Sequence, residues 1–230
     1  MKRFYKQVSV EPVAGGHAIR LDGRAVKTPA RADLALPTSA LAHAVAAEWD
    51  AQREDIDPRS MPLTGLANAA IDRVAPDPAA FAQGLAAYAE TDLLCYRADS
   101  PAELVARQAG AWDPLLAWAG RRYDVRFETV AGIVHRAQPD ETVRRLSAAV
   151  AAYGAFHLAA LQPLVTIAGS LVIALAIAEG RIDVEQAFAT AHLDELWQVE
   201  RWGEDELATR AREHHRADFK AAARFLALLV

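Results

Sequence analysis

A chain of 230 residues with a formal charge of −5 and a pI near 5.8 can bury a core without disulfide or metal support. The acidic balance argues against sequence-independent nucleic-acid binding, which needs a basic face to displace counterions. The single cysteine, Cys95, excludes an intrachain disulfide framework and a cysteine-rich zinc site, and fits a reducing compartment.

The chain opens MKRFYKQVSV, with no apolar run of signal-peptide length after the basic pair, which leads to the expectation of a bacterial cytoplasmic protein. FYKQVSV alternates, HAIRLDGRAVKT carries an Asp22-Gly23 turn between two alternating runs, and ADLALPT follows. Asp-Gly between alternating apolar residues is a strong hairpin signal. Pro12, Pro29 and Pro37 restrict these strands to edges or short pieces.

After Pro37 the apolar period changes to that of a helix. Thr38 or Ser39 can cap a segment with Leu41, Val45 and Trp49 on one face and Glu48, Asp50 and Arg53 away from it. A second helix follows Pro62, with Leu63, Ala67, Ala70, Ile71 and Val74 at core spacing. Asp77-Pro78 starts a third, carrying Phe81, Leu85 and Tyr88. Ser100-Pro101-Ala102-Glu103 reads as a capping box opening a helix toward Tyr123, with a kink expected at Pro114. VRFETV reads as a short strand.

The remainder reads as all-helical. From Leu146 to Ala178 there is no Asp, Glu, Lys or Arg. His157, Gln162 and Pro163 interrupt this run and alanine dominates it, so it reads as two helices meeting near Gln162, the second buried on most sides, rather than as a membrane span. Gly180 stops that helix, Asp183-Val184-Glu185-Gln186 opens the next, and a last helix from Glu204 to about Leu229 lines up Leu207, Ala211, His214, Ala221, Phe225 and Leu228. The fold class expected is α+β, with a β-rich part over 1–38, a helical part with short strands over 39–138 and an all-helical part over 139–230. Residues 39–230 can equally form one domain, since the second boundary falls anywhere between Tyr123 and Pro139.

Catalytic signatures are sparse. Gly15-Gly16 lacks the further glycines and the lysine of a phosphate cradle, and Ala168-Gly169-Ser170 lacks the second glycine of a nucleophile elbow. Cys95 reads as a buried structural thiol. His214 and His215 point about 100° apart on a helix, and His192-Glu195 runs opposite to the Glu-x-x-His order of di-iron bundles, so no metal and no cofactor is expected.

The informative stretch is HLDELWQVERWGEDE. On one continuous helix from Val184 to Trp202, Ala191, His192, Glu195, Val199 and Trp202 fall near Phe188, on a mostly apolar face. Trp197 falls opposite, beside Arg201 and Asp194. Each of the two unusual placements has two readings. Glu195 pairs with an arginine such as Arg144 or Arg224, or anchors a partner; Trp197 packs under the last helix, or faces a partner.

These residues, with FYKQVSV, DGRAVKTP, AAEWDAQ, MPLTGLANAAID, ETDLLCYRA, RQAGAWDPLLAW and SLVIALAIAEGRIDVEQAF, make the chain similar, over nearly its whole length, to the ATP synthase assembly chaperones of the ATP-twelve type. The resemblance implies a small β-rich domain joined to a larger helical one, and a non-enzymatic role in holding the free α subunit of the synthase until a β subunit replaces it. Carried over residue by residue, it places the functional region at Glu195, Gln198, Glu200, Arg201, Trp202 and Gly203, and Trp197 joins them as a candidate partner-binding residue. Trp49 also matches but its spacing suits core packing, and after Gly203 this chain departs from the family pattern with EDELATRAREHH. Two other readings stand beside it: an enzyme using Glu195 as base in a pocket with His192 and an arginine, and a membrane-associated factor using the Leu164–Ala178 segment.

Overall fold

A computed structural model describes residues 1–132 and 134–230, and the chain divides into two compact units. The first comprises residues 1–78, 154–160 and 221–230; the second comprises 79–153 and 161–220. A small antiparallel sheet followed by helices gives an α+β fold, as expected.

In the first unit the sheet is built on β2 (Gly16–Leu21), with β1 (Val8–Val13) along one edge and the short β3 (Arg24–Ala25) and β4 (Ala35–Leu36) along the other. Pro12 lies in the edge strand β1, where its missing N–H costs the sheet little. Asp22 and Gly23 take φ of 49° and 79°, the left-handed pair that the hairpin signal requires. At Gly16 a Cβ would stand 2.2 Å from the Leu36 carbonyl oxygen, so the absence of a side chain lets β4 approach.

The opening FYKQVSV is a strand only from Val8. The backbone N–H groups of Lys6 and Gln7 donate to the Asp22 carboxylate, at 3.1 and 2.8 Å to Oδ1, instead of to a ladder. The Gln7 and Lys6 amides in turn hold the Asp22 carboxyl below its ordinary value. Tyr5 is buried with Leu21, Ile56 and Met61, and its hydroxyl donates to the Trp49 carbonyl at 2.6 Å. Trp49 packs partly buried against that cluster, the core role its spacing suggested.

Helix α1 (Ser39–Asp50) starts at Thr38, whose hydroxyl accepts the Leu41 N–H at 3.2 Å, and buries Leu41, Ala42 and Val45. Glu48 is not turned to solvent. Its carboxylate accepts the N–H groups of Leu63 and Thr64 at 2.8 Å each, and the Thr64 hydroxyl at 2.7 Å. These donors open α2 (Pro62–Ala69), whose own preceding residue, Met61, supplies no capping side chain. The carboxylate therefore meets orphan amides and the positive end of the helix dipole from a neighbouring helix. Glu48→Ala should cost about 2 kcal/mol in urea unfolding, the range for stranding buried donors, and Glu48→Gln less. Beyond α2 the chain continues in a π turn over 70–74.

The second unit holds all but the first residue of α3 (Pro78–Ala86), α4 (Ala102–Tyr123), α5 (Asp140–Ala151), the end of α6 (Ala155–Ala168), α7 (Leu171–Ala178), α8 (Val184–Ala191), α9 (Leu193–Trp202) and most of α10 (Glu206–Ala227). A parallel two-stranded pairing, β5 (Tyr96–Arg97) with β6 (Val130–Ala131), accompanies them. VRFETV is thus not a strand over most of its length; only Val130 enters this ladder.

Four further expectations are corrected. The Ser100 capping box does not form: Pro101, which has no side-chain acceptor, takes the cap position of α4, and the Ser100 hydroxyl donates to Asp99 at 3.1 Å. Helix α6 runs unbroken through Gln162 and Pro163, and the interruption falls at Gly169, with φ 63°, and Ser170. The segment from Val184 to Trp202 is two helices, not one, as described below. Along α10 the buried residues are Phe219, Ala222, Phe225 and Leu226, whereas Leu207, Ala211 and His214 are exposed.

Leu171 to Ala176 are all buried in α7, the expected helix without a polar face. Its first turn is capped twice. Ser170 Oγ accepts the Ile173 N–H at 3.1 Å, and the fully buried Asp92 carboxylate accepts the Val172 N–H at 2.9 Å. Cys95 is buried beside it, and desolvation pushes its thiol up to about 12, consistent with a structural thiol. Among the described residues no helix is long and apolar enough to cross a membrane.

Candidate partner-binding surface

Helix α4 is the platform for the region singled out by sequence. Its periodicity buries Gln108, Trp112, Leu115, Leu116 and Ala119 along one face. The Gln108 carboxamide is held at both ends: its oxygen accepts the Ala98 N–H and its nitrogen donates to Asp194, each at 2.8 Å. The Trp112 indole N–H donates to the Thr190 carbonyl at 3.0 Å. Thr190 is in the last turn of α8 and Asp194 in the first turn of α9, so two buried α4 side chains clamp both sides of one helix break.

The break is at His192, with φ −102° and ψ 22°. Its N–H and its Nδ1 each lie 3.0 Å from the Phe188 carbonyl, and its ring stacks on Phe188 at 4.0 Å. Burial holds the imidazole below its ordinary pKa, outweighing the opposite influence of the Phe188 carbonyl and Glu195. The ring is therefore neutral near pH 7, with Nδ1–H donating to the carbonyl.

This break re-phases everything after it. Trp197, expected on the polar face, is 8% exposed; Trp202, expected on the apolar face, is 74% exposed. The two indoles meet edge to face at 5.8 Å, and the Arg201 guanidinium lies 5.4 Å from the centre of the Trp197 ring. Trp197 Nε1 is buried with no hydrogen-bond partner among the described residues. Glu195 pairs with neither Arg144 nor Arg224. It accepts from Arg212 at 2.8 Å, and Arg212 also lies 3.9 Å from Glu204. Arg212 lies on α10, as Arg224 does, but twelve residues nearer its start, beside the α9 turn that carries Glu195.

Gln198, Glu200 and Arg201 are exposed. Arg201 pairs with Glu103 of α4, and Arg107 bridges Glu200 at 2.6 Å and Glu103 at 3.4 Å. These pairs are about half exposed, so each is worth only ~0–1 kcal/mol to stability; their effect is to orient side chains around Trp202. Glu103 and Arg107 were not identified from sequence. Their i, i+4 spacing was readable, but nothing local shows which helix they face. Helix α9 ends at Gly203, whose φ of 87° and ψ of 174° only glycine adopts without strain. Asp205 then caps α10 by accepting the Ala208 N–H at 2.8 Å. Leu207, in the first turn of that helix, is 75% exposed. Trp202 and Leu207 are thus large apolar side chains open to solvent within a charged frame.

An enzyme working at Glu195 and His192 would need a pocket lined by both. The pocket beside them, about 100 Å³, is lined by Phe188, Leu196, Arg212 and their neighbours, and by neither Glu195 nor His192. Among the described residues no three His, Cys, Asp or Glu side chains gather as a metal site needs.

Comparison with known proteins agrees with the resemblance seen in the sequence. Residues 2–120 match the family described as ATP12 chaperone protein. The chain is 28% identical over 214 residues to the mitochondrial protein atp12 of Schizosaccharomyces pombe, covering 88% of this chain and 74% of that one. Its structure is similar to the crystal structure of Atp12 from Paracoccus denitrificans, at 43% identity, with a TM-score of 0.96 and coverage of 100% and 98%. It is also similar to the Atu1473 protein of Agrobacterium tumefaciens, at 44% identity, with a TM-score of 0.95 and coverage of 100% and 86%. With the match spanning residues 2–120 of 230, this chain belongs to the ATP12 chaperone family, the non-enzymatic assembly factors of ATP synthase.

Proposed function

We propose that this chain binds the free α subunit of ATP synthase in the bacterial cytoplasm and shields its β-contacting surface until the catalytic sector assembles. The surface doing so is the outer edge of α9 with the start of α10: Gln198, Glu200, Arg201 and Trp202, with Glu195 at its side and Trp197 beneath as support. An unpartnered α subunit exposes a large apolar face that aggregates unless covered. Covering it requires anchors and a polar rim, and neither a cofactor nor a nucleotide loop.

The observation that carries this reading is the exposure of Trp202 inside an ordered ring of charge. Tryptophan is costly to leave in water, and at interfaces it is among the most frequent hot-spot residues. Here it rests edge-on against a buried indole, so little side-chain freedom is lost when a partner covers it. The Glu103, Arg107, Glu200 and Arg201 pairs supply a rim of both signs, suited to orientation and release more than to raw affinity.

The test is complex formation between the purified chain and isolated α subunit without ATP, read as binding and as suppression of α aggregation. Trp202→Ala should weaken binding by about 30-fold, the size of a hot-spot truncation, with no change in melting temperature. Glu200→Lys and Glu195→Lys should also weaken it. Wild-type affinity in all three variants would remove this surface from the proposal.

A further inference from the structure

We propose that the pocket between α8, α9 and α10 is a socket for one basic side chain, lysine or arginine, projecting from the client subunit. This deepens the chaperone reading and rests on it. At about 100 Å³ the pocket has room for a single side chain. It is well below the ~300–1,000 Å³ typical of small-molecule sites.

Its floor is apolar: Phe188, Ala189 and Leu196. Phe188 is a fixed wall, stacked on His192 at 4.0 Å and met edge-on by Phe219 at 5.6 Å. Such a floor suits the methylene stem of a long cationic side chain, which buries its carbons and keeps its head at a polar rim.

The rim decides the sign of the guest. Arg212 is engaged by Glu195 at 2.8 Å and approached by Glu204 at 3.9 Å. Arg216 and Lys220 share Glu185. Glu213, also on the rim and exposed, carries no ion pair among the described residues. The cations around the pocket already have carboxylate partners, and one carboxylate is left over. An acidic guest would meet Glu213 as a like charge, and a purely apolar one would leave it unmatched; an ammonium or guanidinium completes it. The Arg212–Glu195 pair makes the socket continuous with the α9 surface proposed above, so one client can engage both.

The experiment is titration of isolated α subunit with the full chain and three variants: Glu213→Gln, Glu213→Lys and Ala189→Trp. Both positions are exposed, so melting temperatures should hold. Binding should weaken about 5-fold in Glu213→Gln and about 30-fold in Glu213→Lys, where attraction becomes repulsion. Filling the socket in Ala189→Trp should cost at least ~10-fold. If Ala189→Trp lowers the melting temperature, the Glu213 pair decides alone. Wild-type binding matched by both Glu213 variants overturns the socket and leaves the chaperone reading intact. Tighter binding by Glu213→Lys also overturns it, because the guest is then acidic. Absence of binding by the wild type removes the chaperone reading and the socket together.

Discussion

Asp92→Ala is expected to lower the stability of the second unit by about 4 kcal/mol, seen as a large drop in urea midpoint. The Asp92 carboxylate is fully buried and accepts the Val172 N–H at 2.9 Å and the Leu94 N–H at 3.0 Å, with Ser170 and Leu171 also hydrogen-bonded to it. Alanine strands those donors among fully buried neighbours such as Leu94, Ser170, Leu171 and Val172, and each buried unsatisfied N–H costs ~1–3 kcal/mol. Asparagine, which keeps one acceptor oxygen, should cost less.

The same residue has a pH signature. Burial pushes the Asp92 carboxyl up to about 6, against the opposing hydrogen bonds from Val172, Ser170, Leu94 and Leu171. In the unfolded chain its pKa is ~3.9, so between about pH 4 and 6 the folded form holds the proton more tightly. Stability from this group is therefore greatest below pH 4 and falls as pH rises toward 6. A shift of about two units corresponds to ~3 kcal/mol. Relative to Asp92→Asn, which cannot ionise, the wild type should lose roughly that amount between pH 4 and 7. A constant difference across the range would show that the carboxylate is ionised throughout and held by its donors.

Trp112→Ala should cost about 3–5 kcal/mol, the usual penalty for truncating a buried aromatic. The ring is fully buried, and the Arg97 guanidinium lies 5.2 Å from its centre. The more telling variant is Trp112→Phe. It keeps most of the apolar volume but leaves the Thr190 carbonyl without the indole N–H that meets it at 3.0 Å. A loss of ~1–3 kcal/mol is expected. Because Thr190 lies two residues before the His192 break, Trp112→Phe should also weaken α-subunit binding beyond what its stability loss explains. Equal binding by a folded Trp112→Phe protein would separate the clamp from the surface.

Much of the fold was legible because the signals were local. Asp22-Gly23 gave a hairpin, Thr38 and Asp183 gave caps that accept the Leu41 and Gln186 amides, and the charge-free run gave a buried helix. What was not legible depends on partners distant in sequence. Glu48 looks solvent-facing on its own helix, and only α2 shows what it accepts. The register of α9 follows from the break at His192, which a continuous helical period across Val184–Trp202 does not reveal. A signal was there: Asp194 and Glu195 sit where acids favour a helix's first turn, so the pair marked a start. With the phase corrected, Trp197 and Trp202 exchange burial, and the surface keeps its members while their roles divide into support and contact.

Helix α7 also bears on how the chaperone itself is made. It packs against α4, which precedes it in the chain, and against α8, which follows. Synthesis from the N-terminus therefore releases this greasy segment with one of its neighbours still unmade. For that interval the guardian resembles its own ward, an incomplete surface waiting for the remainder, and is itself open to clumping until the last helices emerge.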